Sequence, residues 1–128
     1  MATWNLSNTI HHLFICNGSS CNRVGAEDLT QELRKEISIR GLDDMIHTTR
    51  TRCNGRCHDK CVVINYPQGN WYKDLKPEDV TIFIDSLLDN KDYTGKISHS
   101  YNNHGFDRSP EVVTGIRKDA DKVKKVSK

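Results

Sequence analysis

Long apolar runs are missing from this chain of 128 residues. None is long enough to span a bilayer, so no membrane role is expected. Met1 to Asn5 lacks the basic and apolar regions of a secretory signal, and a cytoplasmic location is expected. Charge of one sign is also scarce: the net value is +2, too small to argue for a nucleic-acid partner. Hydrophobic residues make up only 35% of the chain and lie mostly before residue 90. A compact domain over 1–90 is therefore expected, with a polar C-terminal extension over 91–128. The chain has no internal repeat. It also has no pair of cysteines separated by two residues, the spacing that favours a dithiol redox centre. Its cysteines number five, and an odd count fits a disulfide framework poorly.

What stands out is how those cysteines are grouped. Cys16 and Cys21 frame one loop; Cys53, Cys57 and Cys61 frame another. Clustered thiols in a reducing compartment point to metal, because thiolate is the ligand form.

The flanking segments suggest how the two loops meet. Ile10 to Ile15 is a short run of β-formers that ends at Cys16, with Asn17-Gly18 turning the backbone at once. This puts Cys21 on the far side of a tight loop. From Gly25, Leu29, Leu33 and Ile37 recur at helical spacing, acids precede bases, and Gly41 closes the segment. Asp44 to Arg52 is a second strand and runs into Cys53. Strand, helix and strand form a βαβ unit, whose strands are parallel, so both cysteine loops should lie on one edge of the sheet.

Cys61 to Tyr66 is the strongest strand signal. Pro67-Gln68-Gly69 turns it into a hairpin through Trp71 and Tyr72. Lys76-Pro77-Glu78-Asp79 opens a helix with Val80, Phe83, Ile84, Leu87 and Leu88 on one face. This order is the plan of an α/β, thioredoxin-like domain: a mixed parallel and antiparallel sheet with helices packed on it. Beyond residue 90 the signal fades: Lys91 to Asp107 is polar with isolated Tyr93, Ile97, Tyr101 and Phe106, and Tyr101 to Gly105 looks like loop. Ser109-Pro110-Glu111 could cap a helix carrying Val112, Val113, Ile116, Ala120 and Val123. The basic end, Lys122 to Lys128, is expected to fray.

Spacing alone leaves two metal readings open. A structural zinc ion takes four ligands in a tetrahedron, and spacings of four and three residues are compatible with it. A 2Fe–2S cluster spreads four thiolates over two irons in a larger pocket, which two wide loops at neighbouring strand ends supply. Around the loops lie Arg23, Arg50, Arg52, Arg56 and Lys60. They could stabilise a reduced cluster and steer an acidic partner, or serve simply as solvated surface. Backbone N–H groups at Gly18 and Gly55 could reach cluster sulfurs. His58 reads as an exposed loop residue. His11 and His12 face opposite sides of a strand. His47, His99 and His104 show no ligand spacing, and Trp71 and Tyr72 read as packing against hairpin and helix.

Cys16, Gly18, Cys21 and Gly25, followed by an acidic amphipathic helix, resemble the first half of the thioredoxin-like 2Fe–2S ferredoxins. Cys53, Gly55 and Cys57, with Val62 to Tyr72 and Lys76 to Val80, resemble the second half. Similar domains occur in the small flavoprotein-module subunit of respiratory and hydrogenase complexes. The resemblance covers about residues 10–89. It implies a 2Fe–2S cofactor held by Cys16, Cys21, Cys53 and Cys57. It also implies an electron carrier rather than an enzyme, with a redox-protein partner bearing an acidic docking surface. A homodimer is open. Service to cobalamin or other tetrapyrrole synthesis is a further implication, and a zinc-stabilised binding module is the alternative. The chain departs from many relatives at Lys60-Cys61, where they carry Gly-Pro. Cys61 opens a strand and is expected to be a small buried core residue, with a spare ligand as the weaker reading.

Overall fold

A computed structural model describes residues 2–126. Met1, Ser127 and Lys128 lie outside the described residues, so the expected fraying of the basic end falls partly beyond them.

Six strands form one sheet in the order β2-β1-β3-β4-β5-β6. They are β1 (His11–Cys16), β2 (Ile46–Thr51), β3 (Val63–Tyr66), β4 (Asn70–Tyr72), β5 (Ile97–Tyr101) and β6 (Phe106–Arg108). The helices are α1 (Ser19–Arg23), α2 (Ala26–Ile39), α3 (Val80–Leu88) and α4 (Ala120–Val126). β1 and β2 pair in parallel, and every other pairing is antiparallel. This is the expected mixed sheet with a βαβ start.

Residue alternation decides which face of the sheet is covered. Leu13 and Ile15 of β1 are fully buried with Leu29, Leu33 and Ile37 of α2 and Phe83 and Ile84 of α3. Each such side chain contributes roughly 1.5–3 kcal/mol when removed from water. His12 and Phe14 alternate to the opposite face and stay half-buried. Arg40 joins the two helices, bonding Glu36 of α2 at 2.7 Å and Asp85 of α3 at 2.6 Å. Leu88, expected on the buried face of α3, is instead 39% exposed at its end.

Three segments differ from expectation. Cys21 lies in the one-turn helix α1 rather than in a plain loop. Residues 97–101 and 106–108, where no strand is expected, are strands of the sheet. Their inward positions are polar: buried Ser98 donates to the Trp71 carbonyl at 3.2 Å, so no apolar alternation marks β5. The turn before β4 requires glycine, because Gly69 has φ +81° and a Cβ there would lie 2.8 Å from Tyr101 Cβ.

The helix expected from residue 109 begins only at Ala120. Side chains from elsewhere take the carbonyls it would have used. Arg108 donates to those of Ser109, Pro110 and Val112, and Arg56 to that of Val113. Val112 alone of the supposed apolar face is buried; Ile116 is 74% exposed.

The entry to α3 supplies a test of the fold. Asp79 accepts the Lys76 amide at 2.9 Å and the Tyr93 hydroxyl at 3.0 Å, and lies 3.4 Å from Lys96 Nζ. Burial pushes its carboxyl up, but these three donors outweigh burial and hold it below its ordinary value. A depressed carboxyl stabilises the fold above its unfolded pKa of about 4, and that stability is lost as the pH falls through the folded value. Asp79→Ala is expected to lower stability at neutral pH by about 1 kcal/mol in urea denaturation. The gap from the parent should close as the pH drops below about 4.

Candidate metal centre

The edge where β1 and β2 end holds the cysteines. Register aligns Cys16 with Thr51, and the next amide, that of Asn17, donates to the Thr51 carbonyl at 2.8 Å. Both chains then turn across this edge. A Cβ on Gly18 would lie 2.9 Å from Cys53 Cα, so the two loops touch backbone to backbone. Gly18 itself has φ −62°, which any residue can adopt. Space, not conformation, demands glycine here.

A small cleft opens at this contact, lined by Cys16, Gly18, Ser19, Ser20, Cys21, Cys53, Arg56 and Cys57. Cys16 and Cys21 are buried, Cys53 is half-buried and Cys57 is exposed. Cys53 and Cys57 have their sulfurs 3.6 Å apart. Cys16 and Cys21 line the same cleft, with Cys16 Sγ donating to the Arg52 carbonyl at 3.6 Å. Among the described residues, no three His, Cys, Asp or Glu side chains converge closely enough to hold a single ion. Four thiols from the two loops line one cleft, a sulfur-only donor set of the kind that a 2Fe–2S cluster takes.

Backbone donors point at the sulfurs. The Gly55 amide lies 3.2 Å from Cys53 Sγ. The amides of Gly18 and Asn54 reach Cys16, and that of Val62 reaches Cys21. Such N–H groups tune a sulfur-ligated metal. The amides of Gly55 and Gly18, expected to reach cluster sulfurs, lie beside cysteine sulfurs; those of Asn54 and Val62 had no signal in the sequence.

Surroundings push three of the thiols, Cys16, Cys21 and Cys53, above their ordinary value. Cys16 is raised first by its bond with Cys21 and then by burial, against the amides of Gly18 and Asn54. Cys21 is pulled down by its bond with Cys16, but its bond with Cys61 and burial outweigh that and leave it raised. Burial is the main cause at Cys53, ahead of its exposed partner Cys57. A metal therefore has to displace protons on entering.

Cys61 is buried behind Cys21, 3.7 Å from its carbonyl, and is not among the cleft-lining residues. His58 is exposed, as its loop position suggested. His11 bonds Asn65 at 3.3 Å on the buried face and His12 bonds Thr49 at 2.7 Å on the other. Arg50 is taken up by Glu27 at 2.8 Å, whereas Arg23, Arg52 and Lys60 are exposed around the loops. Tyr72 packs on Phe83 of α3 as expected. Trp71 instead lies on the uncovered face against Phe106 and His99, because β5 and β6 extend the sheet beside β4.

This fold and this thiol-lined cleft define a sulfur-ligating α/β domain of thioredoxin-like plan. No protein-family model matches the chain. It is 42% identical over 125 residues to a provisionally named 2Fe–2S ferredoxin of Priestia megaterium, covering 97% of this chain and 96% of that one. The crystal structure of a thioredoxin-like 2Fe–2S ferredoxin from Aquifex aeolicus matches with a TM-score of 0.63 and 25% identity, covering 70% of this chain and 96% of that one. An NAD+-reducing NiFe hydrogenase shares the fold at 11% identity, with a TM-score of 0.56, over 79% of this chain and 17% of that one. The chain belongs to the 2Fe–2S ferredoxin family.

The loop contact can be tested directly. Gly18→Ala places a methyl group against the Cys53 backbone and should force the loops apart. The expected result is a lower yield of bound iron per chain after reconstitution, with the far-ultraviolet circular dichroism unchanged.

Proposed function

We propose that the chain is a one-electron carrier, and that Cys16, Cys21, Cys53 and Cys57 hold its 2Fe–2S cluster. The observation that carries this reading is the cleft itself: two cysteine pairs from loops in backbone contact, with amides directed at three of the sulfurs. When bound, the cluster supplies the redox chemistry. The chain's residues supply the thiolates, the amides that share their negative charge, and the burial that keeps water from Cys16 and Cys21. The reading includes no acid, base or substrate pocket, so the protein is a carrier rather than an enzyme. Cys61 is assigned a packing role behind Cys21.

The partner is a redox protein with an acidic docking surface, supported by the exposed Arg23, Arg52 and Lys60 beside the loops. Residues 1–90 are proposed as the cluster-bearing unit and 91–128 as an extension that serves docking. The exposed α4, with Lys122, Lys124 and Lys125, supports that role. A homodimer through the uncovered sheet face is part of the same reading, since Tyr101 and Phe106 are 49% and 44% exposed there. A cytoplasmic location follows from the need for reduced thiols. Service to cobalamin or other tetrapyrrole synthesis rests on the family resemblance alone.

Iron and acid-labile sulfide analysis, with electron paramagnetic resonance of the reduced protein, tests the cluster and its ligands. Cys→Ser at 16, 21, 53 or 57 should each abolish or severely weaken the reduced-state signal, while Cys61→Ser keeps it. A colourless protein holding one zinc would favour the zinc-stabilised module instead.

The docking role is tested by removing residues 117–128, which leaves all six strands in place. The visible spectrum should be unchanged and the rate of electron transfer to the partner should fall. For the full chain that rate should also decline steeply with salt, as screening weakens the basic rim.

A further inference from the structure

Arg56 stands between Cys53 and Cys57 and, among the described residues, is the only charged one lining the cleft. It does not wave in solvent. Its Nε donates to Asp59 Oδ2 at 2.7 Å, and the two side chains are only 14% and 7% exposed. Its Nη2 donates to the Val113 carbonyl at 2.7 Å. Gly115 passes so close that a Cβ there would lie 3.2 Å from Arg56 Nη1.

Both partners of Arg56 are themselves anchored. The Asp59 amide donates to the Arg56 carbonyl at 2.9 Å, and the Asp59 carbonyl accepts the Asp74 amide at 2.9 Å. The segment carrying Val113 and Gly115 is fastened to the sheet. Ser109 donates from its amide to Ser98 at 2.8 Å and from its hydroxyl to Ile97 at 2.7 Å. Lys73 meets Glu111 at 3.0 Å, and Val112 is buried.

A buried ion pair is a weak source of stability, because desolvating both charges offsets their attraction. It is a strong source of local field, because few water molecules screen it. Here the pair is oriented: Arg56 lines the cleft and Asp59 does not. We propose that the Arg56–Asp59 pair, held in place by residues 109–115, presents its positive end to the cluster site and sets the reduction potential. This rests on the ligand reading above. Reduction adds one negative charge at the site, and a fixed positive end favours that state. Asp59 and Gly115 act through Arg56 as positioning residues. The C-terminal extension is thereby part of the redox centre's electrostatics as well as a docking element.

Redox titration of the loaded protein, followed by visible absorption, tests this with iron and sulfide content as the loading control. Arg56→Gln should lower the reduced-to-oxidised ratio at a given potential about tenfold, equal to 59 mV for one electron. Asp59→Asn should shift the potential the opposite way. Gly115→Val, which displaces Arg56 without touching a charge, should lower it by less than Arg56→Gln. Arg56→Lys should retain most of the parent value. If Arg56→Gln does not load, the opposed shifts of Asp59→Asn and Gly115→Val still decide the matter. Fully loaded variants at positions 56 and 59 that shift together, or not at all, overturn the proposal. So does Gly115→Val at the parent potential. Parent protein without sulfide would instead sink the ligand reading.

Discussion

The parallel pairing of β1 with β2 is the constraint on which everything else rests. Parallel neighbours must be joined by a crossover, here α2, and they finish on the same edge. Cys16 is the last residue of β1 and Cys53 follows β2 by two positions, so distant cysteines arrive at one place. The apolar stripe of α2 holds this arrangement, because Leu29, Leu33 and Ile37 have no other surface to cover. A slip of one residue in β1 would turn Leu13 and Ile15 outward and carry Cys16 away from Cys53. Core packing and site assembly are one constraint in this molecule.

At that edge, polarity and burial act against each other. Burial and neighbouring thiols push Cys16, Cys21 and Cys53 above their ordinary value. The amides of Gly18, Asn54, Gly55 and Val62 work in the opposite direction and are already oriented toward the sulfurs. A site of this kind releases protons when it binds metal and has little backbone rearrangement to make. Beside it, Arg56 Nη2 donates to the Val113 carbonyl of the C-terminal segment.

Much of this was legible in the sequence where local signals agree with tertiary placement. The runs before Cys16 and Cys53, the stripe of α2 and the turn at Pro67-Gln68-Gly69 each announce an element that the structure contains. The signals failed where packing is polar or long-range. β5 buries Ser98 rather than an aliphatic residue, so its alternation is invisible. The supposed helix at 109 is cancelled by Arg56 and Arg108, residues whose reach along a folded surface no local pattern encodes. At the site, spacing marked the two cysteine loops with Gly18 and Gly55 but left the metal open, and the choice of four ligands came from the family resemblance. Asn54 and Val62 contribute through backbone amides, which carry no side-chain signature. Asp59 was the missed clue: an acid three positions after Arg56, buried inside a basic loop.

The central claim is that sulfurs from both loops grip a pair of irons. X-ray absorption at the iron edge of the reconstituted protein tests it most directly. The account predicts sulfur-only coordination of iron together with a scattering shell from a second iron. A lone metal with no metal neighbour, or oxygen and nitrogen ligands in place of sulfur, would contradict it.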